Sequence, residues 1–277
     1  MLNVDFRKRI PEPQTLSMGC CIKWNVEEER RFYKTSSFNF GDDESTSELI
    51  VSDLLKNSPF PFVAYHPCQI HLVYRNEERI EKGVWSDSFL AHGEKYLDMF
   101  TVLELKGMKR QFDNHMTVGE RYNFTVQILS EIINDDAKPF LDFMFSLDYV
   151  IGNWDRHCGN FGLIKQLDKK YRLAPIFDNG LSLWAKKRIP GEECEPFSSW
   201  AQKQIVYTKS KLFLDFISTQ PIDEILKKYE DCIDVYKLDS FVSERITKLR
   251  NLLTQDNSYN NGIKKLDDPF APSSSFS

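Results

Sequence analysis

The chain has 277 residues, 41% of them hydrophobic and 13% aromatic, with 21 Phe, which is enough for one large domain or two lobes around a substantial core. A formal net charge of -5 excludes a nucleic-acid binder that works through a basic surface. No apolar run reaches the roughly 18–20 residues of a membrane span. The opening "MLNVDFRKRIPEPQ" lacks the apolar stretch of a secretory signal. The six cysteines show no C-x-x-C spacing, which fits a reducing compartment. A cytoplasmic protein without membrane insertion is the expectation.

Residues 14–24, "QTLSMGCCIKW", and "RFYKTSSF" read as two strands around the charged turn "EEERR". "TSELIVSDLLKN" carries Leu49, Ile50 and Leu54 at helical spacing and stops before Pro59. "QIHLVYRNEERIEKGVW" reads as two further strands around "RNEE". Residues 1–90 therefore predict a small α+β lobe on an antiparallel sheet. From about residue 97 the pattern turns helical, through "YLDMFTVLELKGM", "GERYNFTVQILSEIIND" and "AKPFLDFMFSLDYVIGN". Two strands follow, "NFGLIKQL" and "YRLAPIFD", joined by "DKK", and then helices such as "KSKLFLDFIS" and "LDSFVSERITKLRNLL". The organisation expected is a small lobe over 1–90, a helical lobe over 91–255 and a flexible tail over 256–277.

Within "NWDRHCGNFGLI" an aspartate, a histidine and an asparagine stand among apolar residues. The following hairpin brings the chain back to "APIFDNG", so Asp155, Asn160 and Asp178 can converge at one edge. Asn160 and Asp178 offer two oxygen donors suited to Mg²⁺, with phosphates and water completing the shell. Asp155 can orient, or take a proton from, an attacking hydroxyl. In the first lobe Lys34 lies inside a strand and Glu48 one turn into the next helix, an order suited to holding nucleotide phosphates. Taken singly, each of these could be a turn residue, a snorkelling lysine or a solvated glutamate.

"GNWDRHCGNFGLI … YRLAPIFDNGLSL" resembles the HipA-like serine/threonine kinases, in particular the small CtkA-like members that lack HipA's extra N-terminal region. The order D-R-H-x-x-N is also shared with phosphatidylinositol-3/4-kinase-like enzymes. The resemblance covers residues 140–185 well, 15–90 loosely and the tail not at all. It implies a two-lobed protein-kinase-like fold that uses ATP and Mg²⁺ on a protein serine or threonine. By that resemblance Asp155 is the catalytic aspartate, His157 the catalytic-loop histidine, Asn160 and Asp178 the magnesium ligands, Lys34 the ATP lysine and Glu48 its partner. Trp85, Ser86 and Asp87 would form the adenine-facing hinge. Family members phosphorylate a serine of the phosphate loop, and Ser17 stands at the matching place. That loop, "TLSMGCCIKW", offers only Gly19 where backbone amides should approach phosphate. A lipid or small-molecule kinase of the same fold, and a pseudokinase acting as a nucleotide-binding module, are the alternatives. An antitoxin partner is not implied, because the region that would contact it has no counterpart.

Overall fold

The computed structural model describes residues 1–9, 22–36, 44–110, 112, 116–153, 155–183 and 210–260. Among the described residues the strands are β1 (Leu2–Asp5), β2 (Lys23–Val26), β3 (Arg31–Thr35), β4 (His66–Tyr74), β5 (Glu77–Asp87), β6 (Lys95–Asp98), β7 (Gly162–Lys165) and β8 (Tyr171–Leu173). The helices are α1 (Glu44–Leu54), α2 (Met99–Leu105), α3 (Val118–Ile133), α4 (Lys138–Ile151), α5 (Lys211–Ile217), α6 (Ile222–Lys227) and α7 (Val235–Asn260).

Five strands form one sheet in the order β1-β4-β5-β3-β2. The β4–β5 hairpin turns on Arg75 and Asn76, both at positive φ (52° and 66°). That two-residue turn matches the right-handed twist of the flanking strands. Gly83 of β5 is fixed by crowding, since a Cβ there would lie 2.7 Å from the Lys34 carbonyl oxygen and 2.6 Å from Ile70 Cδ1. One face of the sheet buries a small core of Phe6, Trp24, Val26, Tyr33, Ile70 and Leu72.

The second sheet, β6-β7-β8, lies against the helices. Gly162 lets β6 and β7 meet closely, because a Cβ there would fall 2.2 Å from the Leu97 carbonyl oxygen. Helix α4, "KPFLDFMFSLDYVI", is mostly apolar and is the central helix of the large core. Its buried residues run on from Phe143 through Ile151 without a solvent-facing stripe. Helix α1, although it lies between strands of the five-stranded sheet in sequence, sends Ile50, Val51 and Leu54, with Leu55 just past its end, into this large core.

The antiparallel-dominated α+β layout expected from the sequence is the observed one. Three details differ. The N-terminal "LNVD", which carries no strand signal of its own, pairs in parallel with β4 and closes the sheet edge. "KYLD", expected at the start of a helix, forms β6, and Asp98 then caps α2 by accepting the Thr101 N–H at 2.7 Å. Helix α7 runs to Asn260, so residues 256–260 belong to a helix rather than to a tail. The expected strand over 14–24 is described only from residue 22, and β2 starts at Lys23. Among the described residues no helix is long and apolar enough to cross a membrane.

Candidate active site

β3 and α1 bring Lys34 and Glu48 together. Lys34 is 7% exposed and its ammonium donates to Glu48 Oε1 and, at 3.0 Å, to Asp178 Oδ1. Glu48 is fully buried, and its second oxygen accepts the backbone N–H of Asn179 at 3.1 Å. Burial pushes the Glu48 carboxyl above the ordinary carboxylate value, and the Lys34 charge offsets only part of this. Asp178 moves the other way. Burial would raise it too, but the charges of Lys23 and Lys34, the Lys34 hydrogen bond and Arg156 hold it well below the usual range. Asp178 also sits at φ +58°, a left-handed conformation that Asp tolerates better than most residues.

Lys34 and Asp178 line a cavity of about 270 Å³ between the five-stranded sheet and the segment that ends in Asp178, with Glu48 buried behind them. Its wall combines Lys23, Lys34 and Asp178 with the aromatic residues Phe89, Tyr96 and Phe177. The three rings pack on one another, with centroids 5.3 Å apart for Phe89–Phe177, 5.6 Å for Tyr96–Phe177 and 5.7 Å for Phe89–Tyr96. Lys23 was not foreseen as a site residue. It is the cross-strand partner of Lys34, so both side chains share one sheet face, and its ammonium lies 3.7 Å from Asp178 Oδ2. Only the β2–β3 register reveals this placement, and the register is a tertiary fact.

The loop from 153 to 160 is held from within. Asn160 Oδ1 accepts the His157 N–H at 3.0 Å, and its Nδ2 donates to the Asp155 carbonyl at 2.8 Å. Asp155 N–H donates to Asn153 Oδ1 at 3.0 Å, while Asn153 Nδ2 donates to Asp148 Oδ1 at 2.9 Å. His157 Nδ1 accepts the Gly159 N–H at 2.9 Å. Its ring stacks on Phe100 at a centroid distance of 6.3 Å.

Arg156 is the residue of "DRH" to which the sequence assigns no role, and it organises the whole loop. It is 1% exposed. It forks onto both oxygens of Asp148 on α4, at 2.9 and 3.0 Å, and donates to the carbonyls of Asn160 at 3.0 Å and Phe177 at 2.6 Å. A last N–H reaches Asn179 Oδ1 at 2.7 Å. One guanidinium thus ties the Asn160 loop to the residues on either side of Asp178.

No family model matches the chain. A stretch of 48 residues is 46% identical to the serine/threonine-protein kinase CtkA of Helicobacter pylori, covering 17% of this chain and 15% of that relative's length. The crystal structure of the Helicobacter pylori proinflammatory kinase CtkA superposes with a TM-score of 0.60 over 94% of this chain and 100% of that one, at 17% identity. The chain has the fold of CtkA. A chain from the Shewanella oneidensis complex of HipA, HipB and operator DNA matches at a TM-score of 0.46 and 12% identity, over 87% of this chain and 65% of that one.

Within this CtkA-like fold the three expected hinge residues part company. Ser86 is 3% exposed and lines the cavity. Trp85 turns toward the small core, its ring tilted by 32° against His66 at a centroid distance of 4.5 Å, with the Arg31 guanidinium 4.1 Å over its ring. Asp87 is exposed and faces Arg31 at 3.4 Å. Phe89 and Leu90, just beyond, do line the cavity and were missed because nothing in "SFL" marks them in sequence. Gly19 and Ser17 lie outside the described residues, as does "KKR" at 186–188. Asp155 is partly buried and is not on the cavity wall, in contrast to Asp178.

Proposed function

We propose that the chain is a serine/threonine protein kinase of HipA/CtkA type, with a small nucleotide-binding lobe ending near residue 90. It transfers the γ-phosphoryl group of ATP to a hydroxyl of a protein substrate. The observation that carries this reading is Lys34, a nearly buried ammonium shared between Glu48 of α1 and Asp178, on the wall of a cavity with a second lysine, Lys23, beside it on the same sheet face. Buried charge is retained only where partners or a ligand offset its desolvation. An ammonium held by two carboxylates beside an open cavity is placed to meet phosphate.

The donor set fits Mg²⁺. Asp178 supplies a carboxylate whose side chain is 30% exposed. Asn160 spends its amide N–H on Asp155 and one lone pair of Oδ1 on His157, which leaves a lone pair on that oxygen. Among the described residues no group of three or more His, Cys, Asp or Glu is placed to hold a metal. One carboxylate and one amide oxygen leave the rest of the shell to phosphates and water, the usual division for this ion. When bound, the metal neutralises phosphate charge. Lys23 and Lys34 add two ammonium groups to that task and orient the phosphates. The cavity's aromatic residues and Ser86 take the base. In the transfer step the acceptor oxygen bonds to the γ-phosphorus, the bond from that phosphorus to the ADP oxygen breaks, and Asp155 takes the hydroxyl proton.

The test is intact mass after incubation with Mg²⁺ and ATP, alone and with candidate protein acceptors. A gain of one phosphate on chain or acceptor is expected. ATP turnover without any mass gain points to another acceptor class, and retained binding without turnover points to a nucleotide-binding module.

A further inference from the structure

Helix α1 is fastened at both ends to elements outside the five-stranded sheet. Near its start the Ser47 hydroxyl donates to the Ser182 carbonyl at 3.0 Å, and Glu48 accepts the Asn179 N–H. Near its end Asp53 Oδ2 accepts the Tyr229 hydroxyl at 3.0 Å and faces the Lys228 ammonium at 3.4 Å. Tyr229 lies between α6 and α7 and packs against the large core. Between the two ends, Ser52 Oγ accepts the N–H of Tyr65, a cavity residue, at 3.0 Å.

We propose that Asp53 and Tyr229 are positioning residues that clamp α1 at its far end and so hold Glu48 on Lys34. The inference rests on the kinase reading only for what the Lys34–Glu48 pair is for. The physical argument concerns direction. Ile50, Val51, Leu54 and Leu55 bury well, but apolar contact is non-directional and resists rotation or sliding of a helix weakly. Hydrogen bonds are directional. Glu48 and Asp53 lie five positions apart, about 7.5 Å along the helix axis. A turn of the helix about its axis moves both together. Tyr229 is half-buried at the corner between α6 and α7, on the same large core that α1 packs against, so its hydroxyl is a reference point for α1 that does not belong to the helix. The Asp53 side chain is 14% exposed, which keeps this contact from being a loosely solvated pair. The corner between α6 and α7 thereby reaches the nucleotide site through a helix that touches both.

The experiment reads Lys34 directly. The full chain, without nucleotide, is treated with a limiting amine-acylating reagent, and modification of Lys34 is followed by peptide mass spectrometry. Tyr229→Phe and Asp53→Leu should raise the Lys34 acylation rate several-fold, as should Glu48→Gln. Asp53→Asn keeps an oxygen for the Tyr229 hydroxyl and should stay near the wild-type rate. Combining Tyr229→Phe with Glu48→Gln should add nothing, because both act on one pair. The clamp is overturned if Lys34 stays protected in Tyr229→Phe while the melting temperature falls, or if the two effects multiply. A wild type without phosphoryl transfer but with Lys34 responding as described overturns the kinase reading and keeps the clamp. An active wild type with an unresponsive Lys34 does the reverse.

Discussion

Two ionic clusters flank the 177–179 segment of this chain, and they are built to opposite ends. In the Asp148–Arg156 pair both side chains are fully buried, and all five guanidinium N–H groups are spent on protein oxygens. Burial works to lower the Arg156 pKa, but the charge and hydrogen bonds of Asp148 outweigh it, so the group stays cationic. In the Lys34–Glu48–Asp178 cluster the glutamate is sealed, but Asp178 is 30% exposed and opens on a cavity with Lys23 beside it. The first cluster has no capacity left for a ligand and works as a girder. The second has its charges set and its outer face open. Burial of charge is common to both; what separates scaffold from site is whether the cluster's bonds are closed within the protein.

This contrast can be broken by substitution. Arg156→Met should have the largest effect, about 3–5 kcal/mol of stability, because it strands the buried Asp148 carboxylate. Urea unfolding measures it, and a loss no larger than that of a surface pair would show that Arg156 is dispensable. Next come Asp155→Asn and Asp178→Asn, each expected to lower phosphoryl transfer by roughly two powers of ten or more. They should differ in titration calorimetry: Asp178→Asn weakens Mg²⁺-dependent ATP binding, and Asp155→Asn leaves it intact. Near-normal transfer by Asp155→Asn would reduce the Asp155 loop to a structural turn. Lys23→Ala should cost less, about 1 kcal/mol of nucleotide affinity or a few-fold in Kd, since its side chain is 40% exposed. That cost should shrink at high salt, and an unchanged Kd would remove Lys23 from the site.

The smallest effect is a pH dependence. The Asp178 carboxyl is held below its ordinary value of 3.8, so the folded state binds its proton less readily than the unfolded chain does. Its contribution to stability is present above 3.8 and is lost as the pH falls through the folded value. Glu48 acts in the opposite sense. Its raised value favours the folded state at the acid side, and that contribution fades as the pH rises past 4.5. The stability gap between wild type and Asp178→Asn should therefore narrow on acidification, as followed by unfolding at a series of pH values. A gap that widened would mean the lysines do not govern Asp178.

The open cluster was the legible one. Lys34 in a strand, Glu48 a turn into a helix and "DRHCGN" before "IFDNG" are local patterns, and their residues stand out against apolar neighbours. The girder was not legible. Asp148 sits in "FLDFMFSLDYV", where eleven residues read as plain core, and a single buried carboxylate has no local signature. Arg156 was visible but unassigned, because its four partner residues come from α4, its own loop and the 177–179 segment. Likewise β1 has too few residues to show a period, and its parallel pairing depends on β4, more than sixty positions on by the register Leu2↔Cys68. Patterns that the chain writes within one turn or one strand can be read from it; those that arise from the meeting of distant segments cannot.

The left-handed backbone of Asp178 bears on how this activity could be lost over time. At φ +58° a branched or bulky side chain costs on the order of 1–3 kcal/mol before any chemistry is considered. Glycine, asparagine and aspartate escape most of that penalty. The backbone therefore narrows the alphabet at position 178 to about three letters, and the need for a carboxylate narrows it to one. Descendants that discard phosphoryl transfer yet stay folded have two inexpensive single steps at this position, to asparagine or to glycine, and the same two letters there would mark a silenced copy of the chain.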